Sequence, residues 1–236
     1  MSRPAGKRFW LTMAAASGLA VVICLTLVLW PYIKGLLKSE TVDFQTLQSQ
    51  NQEIYAWLSF PEIGVDHPVL QHVGAANDEE DEYYLNRDLD GKPSEAGSLF
   101  TQYRYNATDF SDPVTVIYGH RRSIFKKLQS WCQGARLGED TVFTIYLPGR
   151  KLTYQVFAGI PYDDSHVMYY HDFTNEHVYI KFFKDVFATK DPRANLDWSV
   201  VPAFGDKVVI LATCQEDETQ RYLTMGVLVE DAAIAS

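Results

Sequence analysis

Apolar and polar positions along the chain change rhythm three times. Residues 9–33 form an uncharged, mostly apolar run of 25 residues, which as an α-helix would extend roughly 37 Å and so could cross the hydrocarbon core of a bilayer. Arg3, Lys7 and Arg8 precede it. The positive-inside rule then keeps residues 1–8 cytoplasmic and sends the chain after about Lys38 to the outer side. A cleaved signal peptide is the other reading; the run is longer than an ordinary signal-peptide core, and no small-x-small site follows it closely. Both readings export the rest of the chain.

After this run, Phe44, Leu47, Asn51, Ile54 and Leu58 recur at steps of three and four, the spacing of one helix face. This predicts a helix within 34–60 that ends before Pro61. From residue 61 onward the rhythm shortens to apolar runs separated by Gly, Pro, Asn and Asp, at 69–70, 98–100, 114–118, 142–147, 152–160, 208–213 and 222–229. These read as strands of a closed or nearly closed sheet, with sandwich and barrel both open. Two helical stretches interrupt them. One carries Ile124, Phe125, Leu128 and Trp131; the other carries Tyr179, Phe182, Phe183, Val186 and Phe187, with Thr174 as N-cap and a stop before Pro192. Four segments follow: 1–8 cytoplasmic, 9–33 transmembrane, 34–60 a juxtamembrane N-terminal helix, and 61–236 a mainly β domain.

Composition narrows the class. With 47% apolar residues the chain can bury a core and is too hydrophobic for disorder. Residues 1–40 hold five basic side chains and one acid, leaving 16 basic against 29 acidic in the remainder, a balance of -13. Nucleic-acid binding needs basic patches and is excluded by this balance. Of three cysteines, Cys24 lies in the apolar run, so Cys132 and Cys214 remain and no disulfide framework exists. A single Cys132–Cys214 disulfide stays open. Six histidines occur without an HExxH or CxxC frame, so no metal is expected. The acids at 78–82 read as a solvated loop, since a calcium loop would need alternating oxygen ligands and a glycine.

The chemistry gathers at predicted strand ends. VVILAT runs directly into Cys214, QEDETQ follows as a loop, and a new strand opens at Arg221. A hairpin there brings the thiol and the guanidinium to one sheet end, where a cation favours thiolate and can bind a developing oxyanion. VTVIYGH places His120 just past another strand end. Thiolate, imidazole and guanidinium together suit covalent catalysis, with the histidine protonating a leaving amine.

These sets, YGH ending at His120, ATC ending at Cys214, and Arg221 opening the next strand, resemble the active-site motifs of sortases. The segment YYLNRDLDGKPSEAGSLF at 83–100 and the helix from about Thr174 to Lys190 resemble class B members. The resemblance implies an eight-stranded sortase β-barrel with an N-terminal helical extension and a long helix before the seventh strand. It implies Cys214, His120 and Arg221 as catalytic residues, and a substrate groove including Leu85, Tyr118, Ala212, Thr213, Met168, Tyr169 and Tyr170. The implied partners are the sorting-signal peptide of a secreted protein, of NPxTN or LPxTG type, and an amine acceptor from lipid II or a pilin lysine. No cofactor is implied. An exported cysteine hydrolase using the same three residues and a non-catalytic peptide-binding barrel are the other readings.

Overall fold

The computed structural model describes residues 42–163, 165–214 and 220–234. The chain opens with helix α1 (Phe44–Gln50), whose first turn is held by Asp43, the side chain accepting from Thr46 N–H at 2.9 Å. Strands β1 (Ile54–Phe60) and β2 (Val65–Gln71) follow, then α2 (Asp78–Asp81), β3 (Leu99–Thr101), β4 (Val114–Gly119) and α3 (Leu128–Gly134). The long strands β5 (Val142–Leu147) and β6 (Arg150–Asp163) lead to α4 (Val167–Tyr170) and α5 (Glu176–Ala188). The two-residue β7 (Asn195–Leu196), then β8 (Val208–Cys214) and β9 (Gln220–Ala233), complete the sheet.

Strand order is β5-β1-β2-β3-β4-β8-β9-β6, and β6 pairs back onto β5, so eight strands close into a barrel with β7 appended to β6. Closure removes the exposed sheet edges that a sandwich would leave. All pairings are antiparallel except β2–β3 and β4–β8. One core fills the interior, with Ala56, Leu58, Leu99, Ile117, Phe143, Ile145, Val209 and Leu211. A second lies outside the sheet under α5, where Tyr179, Phe182, Phe183, Val186 and Phe187 cover Val114, Val116, Val208, Ile210, Met225 and Val227.

The barrel and the α5 face agree with the sequence reading; several elements correct it. The helix expected through residue 58 stops at Gln50. Asn51 leaves helical geometry (φ -147°), and its side chain donates to Tyr84 Oη at 2.9 Å and to the Leu89 carbonyl at 2.8 Å. Ile54, Ala56, Leu58 and Phe60 then alternate into buried positions in a strand paired to β2 on one side and β5 on the other. Pairing on both sides and β-favouring Ile, Tyr, Trp and Phe outweigh the short helical stripe, so the barrel begins at Ile54 rather than residue 61. The acidic run is helical, with Asp81 only 2% exposed and bonded by Arg104 Nε at 2.6 Å. Ile124 and Phe125 lie before α3 in a turn held by Phe125 N–H donating to the His120 carbonyl at 3.1 Å. The N-cap of α5 is Asn175, which accepts from the backbone of His177 and Val178. Cys132 is a free, buried thiol, which removes the disulfide reading; burial pushes its pKa up to about 11. Among the described residues no helix is long and apolar enough to cross a membrane; the run at 9–33 lies outside them.

Candidate active site

The parallel pairing of β4 with β8 builds the site. Parallel neighbours end on the same side of a sheet, and here Tyr118 pairs with Ala212 and Gly119 with Thr213. One step further along this register stand His120 and Cys214. The antiparallel β8–β9 hairpin returns the chain so that Arg221 pairs with Cys214. The β8–β9 hairpin and the distant strand β4 thus deliver His120, Cys214 and Arg221 to one end of the barrel.

Strand alternation decides which face they use. Tyr118 and Ala212 belong to the outer core, together with Leu223 and Met225 of β9, whereas Ile117 and Leu211 point into the barrel. Arg221 continues the outward set of β9, and His120 that of β4. At this spot, beyond the stretch covered by α5, a pocket of about 90 Å³ opens among Glu82, Leu85, Phe100, Tyr118, Ala212 and Arg221. The Arg221 guanidinium carbon stands 5.8 Å from the centre of the Tyr118 ring, within cation–π range.

His120 is braced by the preceding loop. Its Nε2 lies 3.4 Å from Asn86 Oδ1, and its carbonyl accepts from the N–H groups of Ser123 and Phe125. Gly97, at φ +60°, makes this approach possible: a Cβ there would strike the Leu85 carbonyl and come within 2.9 Å of His120 Cδ2. Gly97→Ala is therefore expected to displace Leu85 and His120 together. A left-handed φ alone costs about 1 kcal/mol for a non-glycine residue, and an ångström of misplacement costs about 100-fold in rate. Peptide-cleavage rate and melting temperature measured side by side should both fall; unchanged activity would show that the Gly97 contact does not set the His120 position.

Burial raises the Tyr118 pKa, against the opposing pull of Arg221. His166, the residue before α4, has its pKa lowered by burial first and by Arg221 next. Its ring centre lies 6.3 Å from Tyr118 and 4.8 Å from Tyr105. Among the described residues no group of three His, Cys, Asp or Glu side chains stands close enough to hold a metal ion.

No protein-family model matches the chain. Sortase B of Listeria monocytogenes is 25% identical over 210 residues, spanning 84% of this chain and 77% of the relative. Along most of its length the chain is similar to class B sortases. The structure of Clostridium perfringens sortase B superposes with a TM-score of 0.63 at 20% identity, over 80% of this chain and all of that one. A Streptococcus pyogenes class B sortase involved in pilus biogenesis does so with a TM-score of 0.61 at 22% identity, over 80% of this chain and 98% of that one. The homology supports a sortase transpeptidase at the level of the family.

Against the sortase resemblance, the structure brings Leu85, Tyr118 and Ala212 to the pocket beside Arg221. Thr213 is buried and sits at the alternate register position, that of the interior-facing Leu211. Met168 is half-buried against the outer core, while Tyr169 and Tyr170 are each 66% exposed and meet edge to face at 5.0 Å. Sequence does not single out Glu82, Phe100 or His166 as site residues: Glu82 closes an acidic run that reads as solvated loop, and His166 is one of six histidines without a metal-binding frame.

Proposed function

We propose that this protein is a membrane-anchored cysteine transpeptidase that cleaves a sorting signal of NPxTN or LPxTG type and transfers the acyl group to an amine. The observation that supports this reading is the register that sets Arg221 opposite Cys214 and runs from Gly119 opposite Thr213 to His120. In the first half-reaction the Cys214 thiolate attacks the threonine carbonyl carbon. The carbonyl π electrons move onto oxygen, and Arg221 binds that oxyanion. Collapse expels the C-terminal amine, which takes a proton from His120, leaving a thioester on Cys214. In the second half-reaction an acceptor amine gives its proton to His120, attacks the thioester carbon, and regenerates the thiolate as the new amide forms. The acceptor is the lipid II cross-bridge or a pilin lysine. The apolar run at 9–33 anchors the enzyme with the catalytic domain on the outer side, where such acceptors lie.

Leu85, Tyr118 and Ala212 form the floor of the peptide groove, and α4, with Met168, Tyr169 and Tyr170, forms one wall. Incubating the full chain in detergent with a panel of NPxTN and LPxTG peptides, with and without an amine acceptor, and weighing products by mass spectrometry tests this. The expected result is an acyl adduct on Cys214 and a ligated product that rises with acceptor. Cleavage indifferent to the amine would make the protein a hydrolase. A Cys214 inert to peptides and to alkylating reagents alike would leave a binding barrel.

A further inference from the structure

We propose that His166 is a positioning residue that holds the α4 wall of the peptide groove in place by capping the helix with its neutral side chain. The proposal rests on α4 being that wall. The Nδ1 atom of His166 accepts the Tyr169 N–H at 3.0 Å, while the His166 carbonyl accepts from Tyr169 and Tyr170. An Nδ1 that accepts cannot carry a proton, so the neutral ring bears its hydrogen on Nε2. That Nε2 is buried with no hydrogen-bond partner among the described residues.

One imidazole therefore does two jobs. Its Nδ1 edge ties down the first turn of α4, and its ring face seats the segment on Tyr105, 4.8 Å away, and Tyr118, 6.3 Å away, the latter a pocket residue. Val167, next in the chain, is buried in the outer core and anchors the other side. Few side chains cap a helix in this way; Ser, Thr, Asp and Asn are the usual ones. Histidine differs from Asn in being able to lose the acceptor by protonation, after which Nδ1 becomes a donor facing another donor.

The rings of Tyr105, Tyr118 and Tyr169 surround the imidazole, and it is burial and the cations Arg221 and Arg104 that oppose protonation, against a smaller favourable contribution from its own backbone. Burial and these cations lower the pKa from its ordinary 6.5. A lowered histidine pKa contributes stability that is fully present above 6.5 and is lost as pH falls through the folded-state value. The wall is accordingly formed at neutral pH and loosened in acid.

The test uses the full chain in detergent, the peptide turned over in the panel, and the variants His166→Asn and His166→Ala, at about pH 7.5 and about pH 5.5. Asn keeps a cap acceptor and cannot titrate; Ala removes the cap. In the wild type, KM is expected to rise about fivefold and the Tyr169 amide protection factor to fall about fivefold between the two pH values, a population shift of an ordinary helix-cap size. His166→Asn should hold both nearly constant. His166→Ala should show the raised KM already at the higher pH, with kcat within about twofold of wild type. An Asn variant that keeps the acid rise in KM, or an Ala variant with wild-type KM, would overturn the proposal, as would kcat and KM changing in parallel. Should the wild type turn over no peptide, the transpeptidase reading fails, while Tyr169 protection in the three proteins still decides the role of His166.

Discussion

Cys214→Ala is expected to abolish both peptide cleavage and acyl transfer, with a fall in rate of about 10,000-fold or more and no loss of the folded barrel. The magnitude follows from the role: without the thiolate there is no acyl-enzyme, and the groove and Arg221 retain only what positioning and charge can do for direct attack by amine or water. The fold should survive because Cys214 is the last residue of β8, and its ladder partner Arg221 is reached through backbone groups that Ala also has. Intact-mass spectrometry of peptide incubations, paired with a thermal melt, checks both halves. Residual ligation within tenfold of wild type would remove Cys214 as the nucleophile, and a collapsed melt would make the activity loss uninformative, in which case Cys214→Ser serves in its place.

Arg221→Lys is expected to lower the acylation rate by about 100- to 1,000-fold, the usual cost of removing a donor to a developing oxyanion, although formal charge is unchanged. A guanidinium presents a planar fork of donors and stacks on aromatic faces, whereas an ammonium is a compact, strongly hydrated point charge. In this site the Arg221 carbon lies 5.8 Å from the Tyr118 ring centre and the side chain borders the pocket beside Glu82 and Ala212. A lysine keeps the electrostatic bias toward thiolate but not that placement. Single-turnover kinetics separate the two effects: the rate of Cys214 alkylation should change little while peptide acylation falls. Near-normal acylation in the lysine variant would mean that charge alone suffices.

Elements with a strong single rhythm were legible. The strand VVILAT into Cys214, the strand VTVIYG before His120, and the apolar face Tyr179, Phe182, Phe183, Val186 and Phe187 all appear as read. The failures share one cause. Around residues 51–60 the apolar positions satisfy both a 3.6 and a 2.0 period, and the choice was made by β2 and β5, which offer hydrogen bonds along both sides of β1. Asp81 looked solvated because its partner, Arg104, lies 23 residues away. Short-range pattern carries no information about such partners.

The site divides in the same way. Sequence alone determined the residue types, their order and their placement at strand ends, because catalytic groups at the termini of periodic apolar runs stand out locally. It also determined the long uncharged run at 9–33 and the acidic balance of the residues after position 40. Only the tertiary structure decided that eight strands close on themselves, that β4 and β8 run parallel so that His120 follows the register to Cys214, and that Glu82, Phe100 and His166 border or brace the groove. The physical reason is that the β1–β5 and β4–β8 pairings join segments about ninety residues apart, selected by the free energy of burying two cores at once rather than by the preference of any one segment.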